Sequence, residues 1–323
     1  MDGLRDPRTE AREEWFQSFA WFCATFLCVI VVYQSVWAPE GAPWTDPIWF
    51  ATCFLGILSV HEAGHYVVAR LHGFELSPPL FIPFPVGFGT LGAVIRLRSL
   101  PRSRQALLEM GAAGPLAGAF VAFATALLTV SWATPGTPPP VGQGEPGFWY
   151  TLLYSLGAAP PLWFQPQLEP THVEIFNDPL ALKLAGLLTT GHVPGRYDTY
   201  HPATLGAWMG CLLTMTNLVP VGQLDGGHVL NALYPRSARV RTFAVLALMA
   251  VLGWWWQGWW VFGLVAVVGG AWRPLPVPEE PGLTARAWVV AALVAIVFVL
   301  TFQPMPMQAD EVPVSTAGPA TAG

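Results

Sequence analysis

Charge is what this sequence has least of. Of 323 residues, 11% are Asp, Glu, Lys or Arg, against 53% that are hydrophobic. Soluble domains carry roughly a quarter charged residues, so an ordinary water-soluble globular protein is excluded. Basic residues are the scarcer kind, 15 against 20 acidic ones, with Lys183 the single lysine and a net charge of −5. No basic patch is available to neutralise phosphates, which excludes nucleic acid as a partner. Cysteine is also sparse. Cys23, Cys28, Cys53 and Cys211 lie inside apolar blocks with no two at CxxC spacing. They read as small hydrophobes rather than a disulfide framework or a thiolate cage. No repeat of 20–50 residues is evident, so a solenoid is not expected. The N-terminal residues mix Arg5, Arg8 and Arg12 with five acidic residues, and no small-residue cleavage site follows the first apolar block. That block is expected to be a retained span rather than a secretory leader, and the acidic content disfavours a transit peptide.

What is present in quantity is long apolar runs. A membrane-spanning helix needs about 20 apolar residues, and the blocks 15–37, 47–71, 106–133, 202–220 and 286–303 qualify. The stretch 242–272 is uncharged for 31 residues. As one helix it would be about 46 Å long, well beyond a hydrocarbon core of about 30 Å. Its middle, Gly253-Trp254-Trp255-Trp256-Gln257-Gly258-Trp259-Trp260, has the composition of an interfacial aromatic belt. Two short spans joined at the interface are therefore expected. The arginines agree. Arg96, Arg98, Arg102 and Arg104 lie between the second and third spans, Arg236, Arg239 and Arg241 after the fourth, and Arg273 and Arg286 between the sixth and seventh. With a cytoplasmic N-terminus, every cluster falls inside. The expected fold is an all-α polytopic membrane protein of about seven transmembrane helices. Residues 76–99, with Pro78, Pro79, Pro83 and Pro85 followed by Gly87, Gly89 and Gly92, read instead as a small membrane-associated β-hairpin ending in the strand Thr90–Leu97. Residues 134–201 are expected along the outer surface or dipping into the bilayer, in partly apolar pieces such as 148–158 and 179–190. The Pro-, Ala-, Gly- and Thr-rich tail 305–323 reads as disordered.

The second span carries His61-Glu62-Ala63-Gly64-His65. Helical residues four apart share a face, so the two imidazoles can converge on one metal ion, with Glu62 beside them as a general base toward water. Ionisable side chains at the bilayer centre cost at least about 2.5–3.5 kcal/mol each, so they need a purpose. A metal site supplies one; a proton relay or an interhelical hydrogen bond are the alternatives. His61 lies 15 residues beyond Asp46, about 22 Å along the helix, which places it in the cytoplasmic third of the membrane. A catalytic zinc site takes three protein ligands and keeps one position open. The fourth span ends in Asn217-Leu218-Val219-Pro220-Val221-Gly222-Gln223-Leu224-Asp225-Gly226-Gly227-His228, where a proline and three glycines break the helix at membrane depth. Such irregular backbone is tolerated only where it is buried or lines a cavity. Asp225 is the expected third ligand, and His228 is either its rival or a neighbour that supports the ligands.

These motifs, together with Gly111-Ala112-Ala113-Gly114-Pro115-Leu116-Ala117-Gly118 on the third span, resemble the site-2 protease family of intramembrane zinc metalloproteases. Phe81-Ile82-Pro83 and Gly89-Thr90-Leu91-Gly92-Ala93 are most similar to the branch shared by bacteria and plastids that includes the gravitropism-deficient-type proteases. The resemblance covers about 54–236. It implies a three-helix catalytic core around one zinc per chain, with His61, His65 and Asp225 as ligands, Glu62 as general base, and Asn217 holding the substrate or its transition state. The substrate it implies is a transmembrane segment of another protein within the lipid bilayer, with access open to gating by a partner. The expected layout is an N-terminal segment and first span (1–45), the catalytic core (46–236), C-terminal spans (237–304) and the tail (305–323). A bacterial cytoplasmic (inner) membrane is the expected location. Several relatives carry a PDZ domain, for which 134–201 is too short and too apolar. Thr90–Leu97 is expected to receive the substrate as an added strand, and Gly111, Gly114 and Gly118 to serve close helix packing. Glu109 is expected to snorkel to the interface or lie near the zinc entry path, and His72, His172, His192 and His201 to be interfacial. The competing class is a non-proteolytic membrane metal-binding or transport protein. That class should spread acidic or histidine residues through other spans, where few stand besides Glu109, Asp225 and His228.

Overall fold

The computed structural model describes residues 7–39, 41–137, 172–268, 270, 275 and 282–311. In chain order the described elements are α1 (Pro7–Val32, continued by a π-helical turn Tyr33–Trp37), α2 (Thr45–Leu71), β1 (Leu80–Pro83), β2 (Thr90–Val94), α3 (Arg104–Thr129), β3 (His172–Phe176), α4 (Leu180–Thr190), α5 (Pro202–Leu218), α6 (Asp225–Leu233), α7 (Ala238–Leu252), α8 (Gly258–Val268), α9 (Ala285–Thr301) and β4 (Met307–Glu311). The chain is thus mostly helical with two small antiparallel sheets, β1–β2 and β3–β4.

Local signals set several of these boundaries. The Ser103 hydroxyl accepts from the Ala106 amide and starts α3. The His201 ring accepts from the Ala203 amide, with Pro202 in the first turn of α5. That helix stops at Leu218 because Pro220 disfavours helical backbone in the residue before it. α2, α3 and α5 pack against one another. Their shared core includes Phe50, Phe54, Leu55, Ile57 and Leu58 of α2, Ala122 and Ala126 of α3, and Trp208 and Met215 of α5. The alanines on α3 let these helices approach closely, which is how helices associate in an apolar medium.

Two described segments, Thr9–Trp37 and Arg104–Trp132, are long and apolar enough to cross a membrane by length and composition. The described part of the uncharged stretch, 242–268, folds as a hairpin rather than a rod. Its arms α7 and α8, of 15 and 11 residues, are about 22 and 16 Å long, each shorter than a hydrocarbon core.

The β1–β2 hairpin does not lie across the end of the bundle. It runs alongside α1. The Ser18 hydroxyl donates to the Pro79 carbonyl at 2.6 Å, and Phe22 packs edge-on against Phe81, 5.0 Å between centroids. Farther along, Trp37 donates its indole N–H to the Gly87 carbonyl at 2.8 Å and stacks on Phe88. Ser18 and Trp37 are 19 residues apart, so the hairpin follows the helix for roughly 28 Å.

One expectation about connecting chain changes, and another lies partly outside the described residues. Residues 138–171, including 148–158, lie outside the described residues, whereas 179–190 forms α4. The tail begins as ordered strand rather than disordered chain: Met307–Glu311 pairs with His172–Phe176 in register from Phe176↔Met307 to His172↔Glu311. Backbone hydrogen bonds to a distant partner supply the order that composition alone does not reveal. Residues 312–323 lie outside the described residues.

Candidate metal centre

His61 and His65 project from α2 toward the start of α6, where Asp225 is the first helical residue. The donor atoms converge. His61 Nε2 lies 3.1 Å from Asp225 Oδ2, His65 Nε2 lies 3.2 Å from Asp225 Oδ1, and the two Nε2 atoms are 3.1 Å apart. Among the described residues these three form the one His/Cys/Asp/Glu group able to hold a metal ion. His65 Nδ1 donates to the Met110 carbonyl at 2.8 Å, which leaves the lone pair of a neutral ring on Nε2, facing the other two donors. One proton can satisfy one of these contacts, but a cation satisfies all three. Ligands at 2.0–2.1 Å from a tetrahedral ion stand about 3.3 Å apart; the 3.1 Å between the two Nε2 atoms fits that edge, and the Asp225 carboxylate presents one oxygen to each ring, so the group suits a His₂–carboxylate metal site.

The fold brings Asp225 here through the break that ends α5. A Cβ on Gly226 would lie 2.0 Å from the Leu218 carbonyl oxygen. Only glycine lets α6 begin folded back against the end of α5.

Opposite α2, helix α3 makes room for the imidazoles. A Cβ on Gly114 would fall 2.0 Å from His65 Nε2, and one on Gly118 would fall 3.0 Å from the His61 Cβ. The small-residue face thus serves more than helix packing: its gaps are where the two rings sit. A signal for this was available, since Gly114 and Gly118 repeat the four-residue spacing of His61 and His65 in the reverse order of an antiparallel neighbour. The Met110 carbonyl had no such signal, because a backbone oxygen belongs to every residue.

The site opens on a cavity of about 650 Å³ lined by His61, Glu62, His65, Asn217, Asp225 and His228, by Ala93–Leu97 at and beyond the end of β2, and by Val265 and Ala266 of α8. Glu62 is 6% exposed, and that exposure is toward the cavity. Asn217 Nδ2 is 3.4 Å from His61 Nε2. His228 lines the cavity but stays outside the group of three donors.

Glu109 does not line the cavity. It is 7% exposed and accepts from His72 Nε2 at 2.8 Å, from Gln105 at 2.9 Å and from Arg286 Nε at 3.2 Å. Three donors satisfy this largely enclosed carboxylate, and they tie α9 to the ends of α2 and α3. His72 is therefore a structural partner rather than a free interfacial group. His201 caps α5 between Trp49 and Trp132.

Residues 49–253 match the model of peptidase family M50. The chain is 29% identical over 205 residues to a protein named "Probable zinc metalloprotease EGY2, chloroplastic" from Oryza sativa subsp. indica, a match spanning 62% of this chain and 32% of that protein. It is likewise 29% identical over 252 residues to "Probable zinc metalloprotease EGY1, chloroplastic" from Arabidopsis thaliana, spanning 76% of this chain and 41% of that protein. The chain thus spans about a third to two fifths of the length of these curated relatives. No solved structure matches the chain. The matched span 49–253 is more than half of the sequence and encloses His61, Glu62, His65, Asn217 and Asp225, so the chain belongs to peptidase family M50.

Proposed function

We propose that this protein is a zinc endopeptidase of the membrane that hydrolyses peptide bonds in or near transmembrane segments of other proteins. The observation that carries the reading is the meeting of His61, His65 and Asp225: the two Nε2 atoms are 3.1 Å apart and each faces one oxygen of the Asp225 carboxylate at 3.1 or 3.2 Å, on a cavity that also holds Glu62. The donor set is that of a catalytic site with a place left open. Bound there, zinc would polarise the scissile carbonyl and make water acidic enough to attack near neutral pH.

The remaining work falls to side chains. Glu62 takes a proton from the attacking water as its oxygen bonds to the carbonyl carbon, then gives that proton to the amide nitrogen as the C–N bond breaks. A His61 Nε2 engaged as a ligand has no lone pair left for the Asn217 amide. The Asn217 N–H then faces the reacting carbonyl and donates to its oxygen as charge develops. A helical substrate hides its peptide bonds, so an unwound stretch needs a partner. Arg96 and Arg98 bond back toward the β1 side of the hairpin, through Ser77 and Glu75. By strand alternation the Ile95 amide faces outward, where the cavity lies. Substrate added along this edge exchanges backbone hydrogen bonds with it. Replacement of Ile95 by Pro, which removes that donor, should abolish cleavage with zinc content unchanged; retained cleavage would overturn strand addition.

The same reading places the catalytic core at 46–236, between an N-terminal segment and first span (1–45) and C-terminal spans (237–304). It takes about seven crossings in all, the N-terminus on the cytoplasmic side of a bacterial inner membrane. The arginine distribution supports this orientation. The direct test pairs metal analysis of detergent-purified protein with cleavage of a single-span substrate. One zinc per chain in both wild type and Glu62→Gln, with cleavage lost about 10⁴-fold in the variant, is the expected result. Full cleavage by Glu62→Gln would overturn the mechanism, and a metal-binding or transport protein would show zinc without cleavage in either form.

A further inference from the structure

His228 stands one turn past Asp225 on α6 and lines the same cavity, yet it belongs to neither the metal-holding group nor any hydrogen bond of the mechanism above. Its position is tightly held. A Cβ on Gly111 of α3 would come within 2.8 Å of the His228 Cβ, and the His228 amide is bonded to the Leu224 carbonyl. Of the two ring nitrogens, Nδ1 is buried with no hydrogen-bond partner among the described residues. A buried N–H without an acceptor is tolerated less often than a buried lone pair without a donor. The proton of the neutral ring therefore resides on Nε2, the edge of the ring left to face the cavity. Among the described residues this donor has no protein acceptor, and it belongs to a side chain that lines the cavity.

We propose that His228 is a further catalytic residue, its Nε2–H donating to the carbonyl oxygen of the scissile peptide as that oxygen gains negative charge. The proposal rests on the endopeptidase reading above and deepens it. Residues three apart on a helix share a face, so a carbonyl that reaches Asp225 and its two histidine neighbours passes His228 on α6. Asn217 approaches the same place from the end of α5. The oxygen is then flanked by donors from both sides of the break between α5 and α6, and the Gly226 turn that forms the site also sets their separation.

The test uses the full-length protein in detergent with a single-span substrate and a phosphinic analogue of its scissile sequence. His228→Ala should keep one zinc per chain and a nearly unchanged KM, while kcat falls about 10²- to 10³-fold. The phosphinic analogue should bind this variant more weakly by the same factor. His228→Phe preserves the ring's volume against Gly111 without a donor and should lose kcat alike. His228→Gln, which restores an N–H donor, should regain part of it. Unchanged kcat in His228→Phe would overturn the proposal. So would zinc content that falls with the ring, because His228 would then be a ligand. If wild type loaded with zinc cleaves nothing, the endopeptidase reading fails and takes this inference with it. An active wild type beside an equally active His228→Phe overturns this inference alone.

Discussion

Helices α2 and α3 lie against each other through the centre of the molecule and do opposite jobs. α2 carries the candidate groups: His61, Glu62 and His65, all facing the cavity. α3 carries absence: Gly111, Gly114 and Gly118 leave the volume that imidazoles and the start of α6 fill. Polar groups placed in an apolar bundle need both a partner and a space of the right shape, and here separate helices provide them. A ligand pair without the glycines would collide with its neighbour. The glycines without the ligands would leave a cavity that destabilises the core.

The comparison can be broken from either side, and the expected effects descend in order. Removal of a donor from α2, as in His65→Ala, should bring zinc content below one per chain and cleavage to background, both read on purified protein. Closing a gap on α3 is next. Gly114→Ala puts a methyl group 2.0 Å from where His65 Nε2 lies, so the ring must turn away. Zinc affinity should drop at least about 10- to 100-fold, the range seen when the groups that orient a ligand are lost; metal titration with a chelator measures it. A glycine on α2 provides the contrast. Nothing lies within 4 Å of a Cβ built on Gly56, so Gly56→Ala should leave zinc affinity and cleavage intact and raise helix stability by up to about 1 kcal/mol. If Gly56→Ala weakened zinc as much as Gly114→Ala, the division of labour between the helices would be wrong.

The smallest effect lies away from both helices. Asp178, just before α4, accepts from the Tyr200 hydroxyl at 2.7 Å, and burial pushes its carboxyl up to about 6. The folded chain thus holds this proton to higher pH than the unfolded chain does. Stability from this group is present below the ordinary carboxylate range and is lost as pH rises through about 6. Asp178→Asn keeps an acceptor for Tyr200 and should flatten that slope in Tm against pH, with zinc content unmoved.

Legibility in the sequence followed the range of each interaction. His61 and His65 were readable because four residues of helix set their geometry locally, and the helix break after Asn217 was readable because Pro220 and the glycines act on their own backbone. The hairpin within 242–272 was readable from length and its tryptophans, although its arms are shorter than full spans. Others were not. Glu109 looked interfacial until His72 and Arg286 closed on it from 37 and 177 residues away. The tail looked disordered until β3 paired with it.

The sequence by itself determined that this chain is built from long, almost uncharged apolar runs, that one of its helices presents two imidazoles and a carboxylate on a single turn, and where an acidic residue follows a broken helix. Only the tertiary structure decided that Asp225 meets His61 across 164 residues, that α3 holds space for both rings, and that the hairpin runs beside α1 and its π-helical turn from Ser18 to Trp37. The physical reason is that side-chain type and helical spacing are local properties written residue by residue. Convergence of donors, and the emptiness that permits it, exists only once distant segments share a core.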